Sequence, residues 1–257
     1  MNVMTQPAFD GLDDERRQAR VDMAAAHRIA VLHDFHEGVD NHFTLMKPGD
    51  ADRFYLNEFG LHWSEVTASN LIEVSHAGEV VAGSGVADLS AICIHAPIHR
   101  IVPNAACVLH THMPYATALA QLADMTIEMT GQAALYFLDK VAYDNDYNGF
   151  ADDQAEGERM ARVMGDKPIL MLANHGVIVT GKNVAQAYHR LYFLERACRT
   201  QLFSMWTDKP RRFISDAVIA RVREPKPPST RLKMSEADYH FAALKRILDR
   251  TEPNYLD

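Results

Sequence analysis

The chain is poor in cysteine: three among 257 residues, Cys93, Cys107 and Cys198, all far apart. That excludes a disulfide framework and a cysteine-rich zinc site, and a reduced, cytoplasmic protein is expected. It is also short of basic charge, with 26 Lys and Arg against 34 Asp and Glu, a formal net charge of −8 with His neutral. Broad nucleic-acid binding needs a basic face and is not expected. Long apolar runs are missing. The aliphatic stretch at residues 169–173 falls far short of the roughly 20 residues of a membrane span. The start, MNVMTQPAFDGLDDERR, has no apolar core behind a basic segment, so it does not read as a signal peptide. No internal repeat and no low-complexity tract is visible.

What is present is ordinary globular material, 47% apolar and 23% charged, which excludes bulk disorder. No shift in composition marks a boundary before about residue 208. The expected organisation is a loose tail over 1–12, one domain over 13–207, and a C-terminal arm over 208–257. The arm would pack on its own or a neighbouring subunit. Its basic Lys209-Pro210-Arg211-Arg212 and Lys226-Pro227-Pro228 read as a solvated linker, not a nucleic-acid patch.

Periodicity predicts helices over 13–36, 87–102, 113–122, 152–164, 183–205 and 235–248. Gly38 stops the first, Asp88 or Ser90 lies near the cap of the second, and Pro97 sits awkwardly inside it. Short strands are predicted over 41–46, 53–56, 71–74, 79–82, 105–110, 169–173 and 177–180. Residues 125–150 give no clear pattern. Helices and strands mix without strict alternation, so a mixed-sheet layer fold is expected rather than a barrel.

Thirteen histidines stand out by their placement. In the strand Val108-Leu109-His110-Thr111-His112, residues two apart face one side, so His110 and His112 present two imidazoles to one point. Two such histidines also occur by chance on a strand face. His175, in Asn174-His175-Gly176 between two apolar runs, is oddly placed for a solvated residue. It packs under a loop, or it supplies a third ligand. Three His ligands with an open fourth position describe a catalytic zinc site rather than a closed structural one. His95 and His99 lie four apart and share a helix face. No matching acid accompanies them, so His95 is expected to line the pocket or donate to a neighbour.

Several segments together resemble one family. They are Gly38-Val39-Asp40-Asn41-His42-Phe43-Thr44, Gly60-Leu61-His62-Trp63 through Thr67-Ala68-Ser69-Asn70-Leu71, Val108–His112 and Asn174-His175-Gly176. Their order and spacing over about residues 15–210 resemble the class II aldolase/adducin superfamily, nearer its adducin-like branch. The resemblance implies an α/β fold, a three-layer α/β/α sandwich around a mainly antiparallel sheet. It implies a homotetramer with the site near a subunit boundary. It assigns a divalent ion, best matched by zinc with manganese, cobalt or iron as alternatives, to His110, His112 and His175. Asn41 is the one position of its substrate pocket that is retained, and Ser90 and His95 join it as substrate-binding candidates. It also places the region of Tyr136, Tyr143 and Tyr147 near the pocket, with Tyr136 and Tyr147 as candidate proton donors. Each of these tyrosines is equally at home in aromatic packing. Tyr239 or Tyr255 of the arm are candidates to reach a neighbouring site.

The departures from the family pattern carry as much weight. Its acidic proton carrier falls on Ala91, its Ser-Ser on Leu89-Ser90, and its Thr-Gly on Phe59-Gly60. A phosphate needs several donors, and Leu and Phe supply none. The expected activity is a metal-dependent carbon–carbon lyase, aldolase or decarboxylase, on a small non-phosphorylated oxo- or hydroxy-acid. The alternative is an adducin-like binding scaffold without catalysis.

Overall fold

The computed structural model describes residues 11–225 and 232–257. The tail at 1–10 and Lys226-Pro227-Pro228 lie outside the described residues; Gly11 and Leu12 already belong to the first helix. Among the described residues there are eight strands: β1 (His42–Met46), β2 (Arg53–Leu56), β3 (Ile72–Ser75), β4 (Val80–Ala82), β5 (Cys107–Thr111), β6 (Val141–Asp144), β7 (Ile169–Leu172) and β8 (Gly176–Gly181). The helices are α1 (Gly11–Leu32), α2 (Leu89–Ile101), α3 (Pro114–Ala120), α4 (Gln132–Leu135), α5 (Gln154–Met164), α6 (Val184–Met205), α7 (Asp216–Arg223) and α8 (Glu236–Thr251). No described helix is long and apolar enough to cross a membrane.

The strands form one sheet in the order β4-β3-β2-β1-β5-β8-β7-β6, antiparallel throughout except for the parallel pair β6–β7. Alternation along each strand splits its side chains between two faces. Phe43, Leu45, Tyr55, Leu109, Met171, Val177 and Val179 face one layer, packed against α1, α3, α6 and α8. Val108, Leu170, Leu172 and Ile178 face the other with α2 and α5, and Phe54, Leu56 and Ile72 extend that face. The expected three-layer arrangement is therefore present. Burying one such side chain is worth about 1.5–3 kcal/mol. Two apolar layers of this size hold the fold without help from a bound ion.

Boundaries and two short elements differ from the sequence expectation. The first helix ends at Leu32, because Asp34 takes φ +60° and the chain turns there; Gly38, φ +59°, serves the following turn instead. The unreadable segment 125–150 holds the single-turn α4 and the edge strand β6, both too short for a period to show. The basic segment after residue 208 is no free linker. Arg211 pairs with Glu128 at 2.6 Å, the Ile214 amide donates to the Met129 carbonyl, and α7 is tied back through Arg223 to Asp139 at 2.7 Å. α8 lies on α1 and α6 of its own chain with Phe241 and Leu248 buried.

Pro97 does not break α2. A proline lacks the N–H that would satisfy the carbonyl of residue i−4, here Cys93. That carbonyl faces Gly157 of α5 so closely that a Cβ at 157 would overlap it. The two helices meet at this point, and α5 is anchored in turn by Arg159, which grips the buried Asp144 of β6 with two bonds of 2.9 and 2.6 Å. Such bidentate charge-assisted pairs fix geometry as well as adding energy.

Several histidines are buried and held neutral. His27 is enclosed by Phe43 and Trp63, and its Nδ1–H donates to the Met23 carbonyl at 2.8 Å. Burial lowers its pKa from 6.5 to about 4, against smaller opposing effects of Met23 and Asn57. A folded-state pKa below the unfolded one stabilises fully above pH 6.5, and that stability is lost as pH falls toward 4. For His27 the loss amounts to about 3 kcal/mol. The urea midpoint should be flat between pH 8 and 7, then fall steadily from pH 6.5 to 4, and His27→Gln should flatten that fall. A wild-type midpoint that holds constant from pH 7 to 4.5 would contradict this.

Candidate metal centre

The register of three strands builds the site. β5 lies between β1 and β8, with His110 opposite His42 on one side and Ile178 on the other. His112 follows directly after β5, so it keeps the parity of His110 and faces the same side. The β7–β8 turn brings in the third imidazole. Asn174 adopts φ +56°, which Asn tolerates better than most residues. Gly176 lies so near β5 that a Cβ would stand 2.6 Å from the Thr111 carbonyl and 2.8 Å from the His112 ring. Asn-His-Gly is thus what a tight turn pressed against β5 requires. The ligand atoms of His110, His112 and His175 all lie within 4.8 Å of one another.

The second ring nitrogens of His110 and His112 are already engaged. His110 Nδ1–H donates to the Val177 carbonyl at 3.0 Å, and His112 Nδ1–H donates to Glu37. These contacts leave the two Nε2 atoms facing the centre. His112 Nε2 is buried without a partner. Metal-ligating histidines usually carry this kind of carbonyl or carboxylate contact on the second nitrogen. Burial, with neighbouring imidazoles adding to it, holds His110 well below its ordinary pKa and His175 at about 4. Neutral imidazole is the form that binds a cation. The donor set fits a divalent ion with an open position.

Behind the triad runs a string of polar groups on an otherwise apolar sheet face. His99 Nδ1–H donates to the Ala105 carbonyl at 2.6 Å, so its Nε2 accepts from Thr44 Oγ1 at 2.8 Å. Thr44 then accepts from His95 Nδ1–H at 2.6 Å, and His95 Nε2 accepts from His42 Nδ1–H at 2.8 Å. One carbonyl therefore fixes each tautomer in turn. His42 Nε2 meets Ser90 Oγ at 3.1 Å, and Ser90 Oγ donates to Asp88 Oδ1 at 2.6 Å. Burial raises the Asp88 carboxyl, but the Ser90 hydroxyl, His42 and the backbone amides of Ala91 and Ser90 together bring it below its ordinary value.

A cavity of about 580 Å³ opens over the triad. Asn41, Ser90 and Tyr147 are on its wall. Asn41 takes φ +72°, and its Oδ1 accepts from the His112 amide at 3.1 Å, which leaves its buried Nδ2 without a partner. The Tyr147 ring lies 6.3 Å from that of His175. Four other candidates lie elsewhere. His95 is fully buried behind His42 and does not line the cavity, because the His42 ring lies between it and His110. Tyr136 lines a separate cavity of about 310 Å³ with His189 and Phe193, since α4 packs on α6. Tyr143 packs in the core, its hydroxyl accepting from the Ile127 amide at 3.0 Å. Tyr255 is buried against its own chain, donating to Asp249 at 2.8 Å, and is not free to enter a neighbour.

Sequence reasoning missed three groups. Glu37 lay beyond the expected end of a helix and gave no signal. His42 belonged to a quoted motif, but its pairing with His110 needed the strand register. Asp88 read only as a helix cap, a role it also has. Among the described residues, no Lys or Arg lines the cavity wall.

Residues 21–202 match the family described as Class II Aldolase and Adducin N-terminal domain. An aldolase class 2-like protein of Caulobacter vibrioides is 33% identical over 189 residues, 73% of either chain. The crystal structure of an aldolase II superfamily protein from Pseudomonas syringae superposes with a TM-score of 0.86 at 31% identity, covering 98% of both chains. L-fuculose 1-phosphate aldolase from Glaciozyma antarctica superposes with a TM-score of 0.82 at 25% identity, covering 98% of this chain and 96% of that one. Family match, sequence identity and superposition agree: this chain belongs to the class II aldolase and adducin family.

Proposed function

We propose that the protein is a divalent-metal-dependent carbon–carbon lyase, of aldolase or decarboxylase type, acting on a small non-phosphorylated oxo- or hydroxy-acid. The observation that carries this reading is the convergence of three imidazoles on the floor of an open cavity. A scaffold has no need of it, which favours the enzyme over the adducin-like alternative. A bound divalent ion would supply Lewis-acid stabilisation of the oxyanion that develops when the carbon–carbon bond breaks. Zinc suits three imidazoles, and manganese, cobalt or iron are compatible with them.

The protein groups set the substrate class. Asn41 Nδ2, an unpaired buried donor, is placed to hold a substrate oxygen. Among the described residues no cation lines the wall to hold a phosphate, and Leu89 stands on it, 58% exposed, where a donor would be needed. Phe150, 92% exposed, also borders the cavity. An apolar side chain so exposed is better covered by a neighbouring subunit. This supports a tetramer with the cavity near a boundary.

Elemental analysis should find one firmly bound divalent ion per chain. His112→Ala should abolish it while leaving the fold, and Glu37→Ala should weaken it about 10–100-fold through loss of the contact on Nδ1. A full complement of metal in His112→Ala would overturn the ligand assignment. A panel of oxo- and hydroxy-acids should contain a substrate, whereas fuculose-, rhamnulose- and ribulose-type phosphates should turn over poorly. Robust turnover of such a phosphate would refute the substrate class. Light scattering should give four times the 28.9 kDa chain mass. A 28.9 kDa particle with metal bound would reject the shared cavity.

A further inference from the structure

We infer that Asp88 is the catalytic proton carrier of this site, accepting and returning the proton through its open oxygen Oδ2. The inference rests on the lyase reading above. Ala91, the position on which the family's acid falls, is fully buried among Phe54, Leu56 and Ile72. A carboxylate there would point into apolar core and not into the cavity. Asp88 lies one helical turn earlier and is on the cavity wall.

Its two oxygens are unequal. Oδ1 accepts three hydrogen bonds, from Ser90 N at 2.6 Å, Ser90 Oγ at 2.6 Å and Ala91 N at 3.2 Å. Oδ2 has no hydrogen-bond partner among the described residues. The carboxylate is thus clamped by one oxygen to the start of α2 and offers the other to whatever occupies the cavity. The other carboxylates on the wall do not match it. Glu37 is engaged with His112, and Asp40 and Asp152 are exposed at the rim, whereas Asp88 is half-buried. A partly enclosed, ionised carboxylate held at fixed geometry is what a general base requires.

In the cleavage direction the substrate hydroxyl proton passes to Asp88 Oδ2 and the carbon–carbon bond breaks. The hydroxyl carbon leaves as an aldehyde, and the bond's electron pair stays on the carbon next to the oxo group as an enolate. Return of the proton from Oδ2 to that carbon gives the product oxo-acid and restores the carboxylate. No oxidant or further reactant is needed. Ser90 acts as a positioning residue, since its hydroxyl and amide both hold Oδ1.

The cap and the proton carrier can be separated. Asn caps a helix about as well as Asp, and Gly costs only a few tenths of a kcal/mol there. The test follows exchange of the methyl protons of pyruvate in D2O by NMR, using zinc-loaded protein, with zinc content and melting temperature measured alongside. Wild type should exchange. D88N should exchange at least 100-fold more slowly with full zinc and an unchanged melting temperature, and D88E should recover part of the rate. D88G should be slow alone and be rescued by added formate, which a purely capping role would not allow. Exchange by D88N at the wild-type rate, or no response of D88G to formate, would overturn the inference and leave the lyase reading standing. A zinc-loaded wild type that exchanges none of a panel of oxo-acids would overturn both.

Discussion

His110 has His42 opposite it on β1 and Ile178 opposite it on β8, and the site depends on this register. A slip of one residue would turn every side chain of β5 to the other face. His110 would then enter the apolar layer under α1 and α6, and Leu109 would enter the cavity. The register is held by the alternation of the neighbours: Phe43 and Leu45, Val177 and Val179 all need the same buried face. The metal-facing imidazoles are thus placed by hydrophobic packing on the side of the sheet away from them.

The second face of the sheet shows how buried polar groups are accommodated. His42, Thr44, His95 and His99 would each be costly alone in an apolar layer. Joined in one chain, both ring nitrogens of His95 and His99 and Nδ1 of His42 find partners, and the chain runs from a backbone carbonyl at Ala105 to His42 beside Ser90. Because His99 must donate to that carbonyl, no tautomer further along is free. The chain is a rigid polar backing for the wall of the cavity, and it joins α2 to β1.

α2 ties these features together. Its N-cap carries Asp88 and Ser90, its middle carries His95 and His99, and Pro97 frees the Cys93 carbonyl against which Gly157 of α5 packs. A larger residue at 157 would push α5 and α2 apart, and α2 carries Leu89, Ser90 and Ile94 of the cavity wall. Local rules that look unfavourable in isolation, a proline inside a helix and a glycine inside another, are satisfied by each other.

Much of this was legible in the sequence. The 3.6-residue period fixed the long helices, alternation and apolar runs fixed most strands, and His110-Thr111-His112 with Asn174-His175-Gly176 announced the triad, because side-chain parity and turn chemistry are local properties. The resemblance supplied the layer order. Only tertiary structure decided the rest. His95 belongs to the backing chain and Tyr136 to another cavity, since residues that look alike in sequence differ in which neighbours pack against them. Glu37 and His42 join the site through partners 75 and 53 positions away, His112 and His95, and Asp88 joins it through a helix start. A sequence determines which faces its elements present. Which faces meet is settled only when the whole core closes, and that closure made Ala91 a core residue and Asp88 a wall residue.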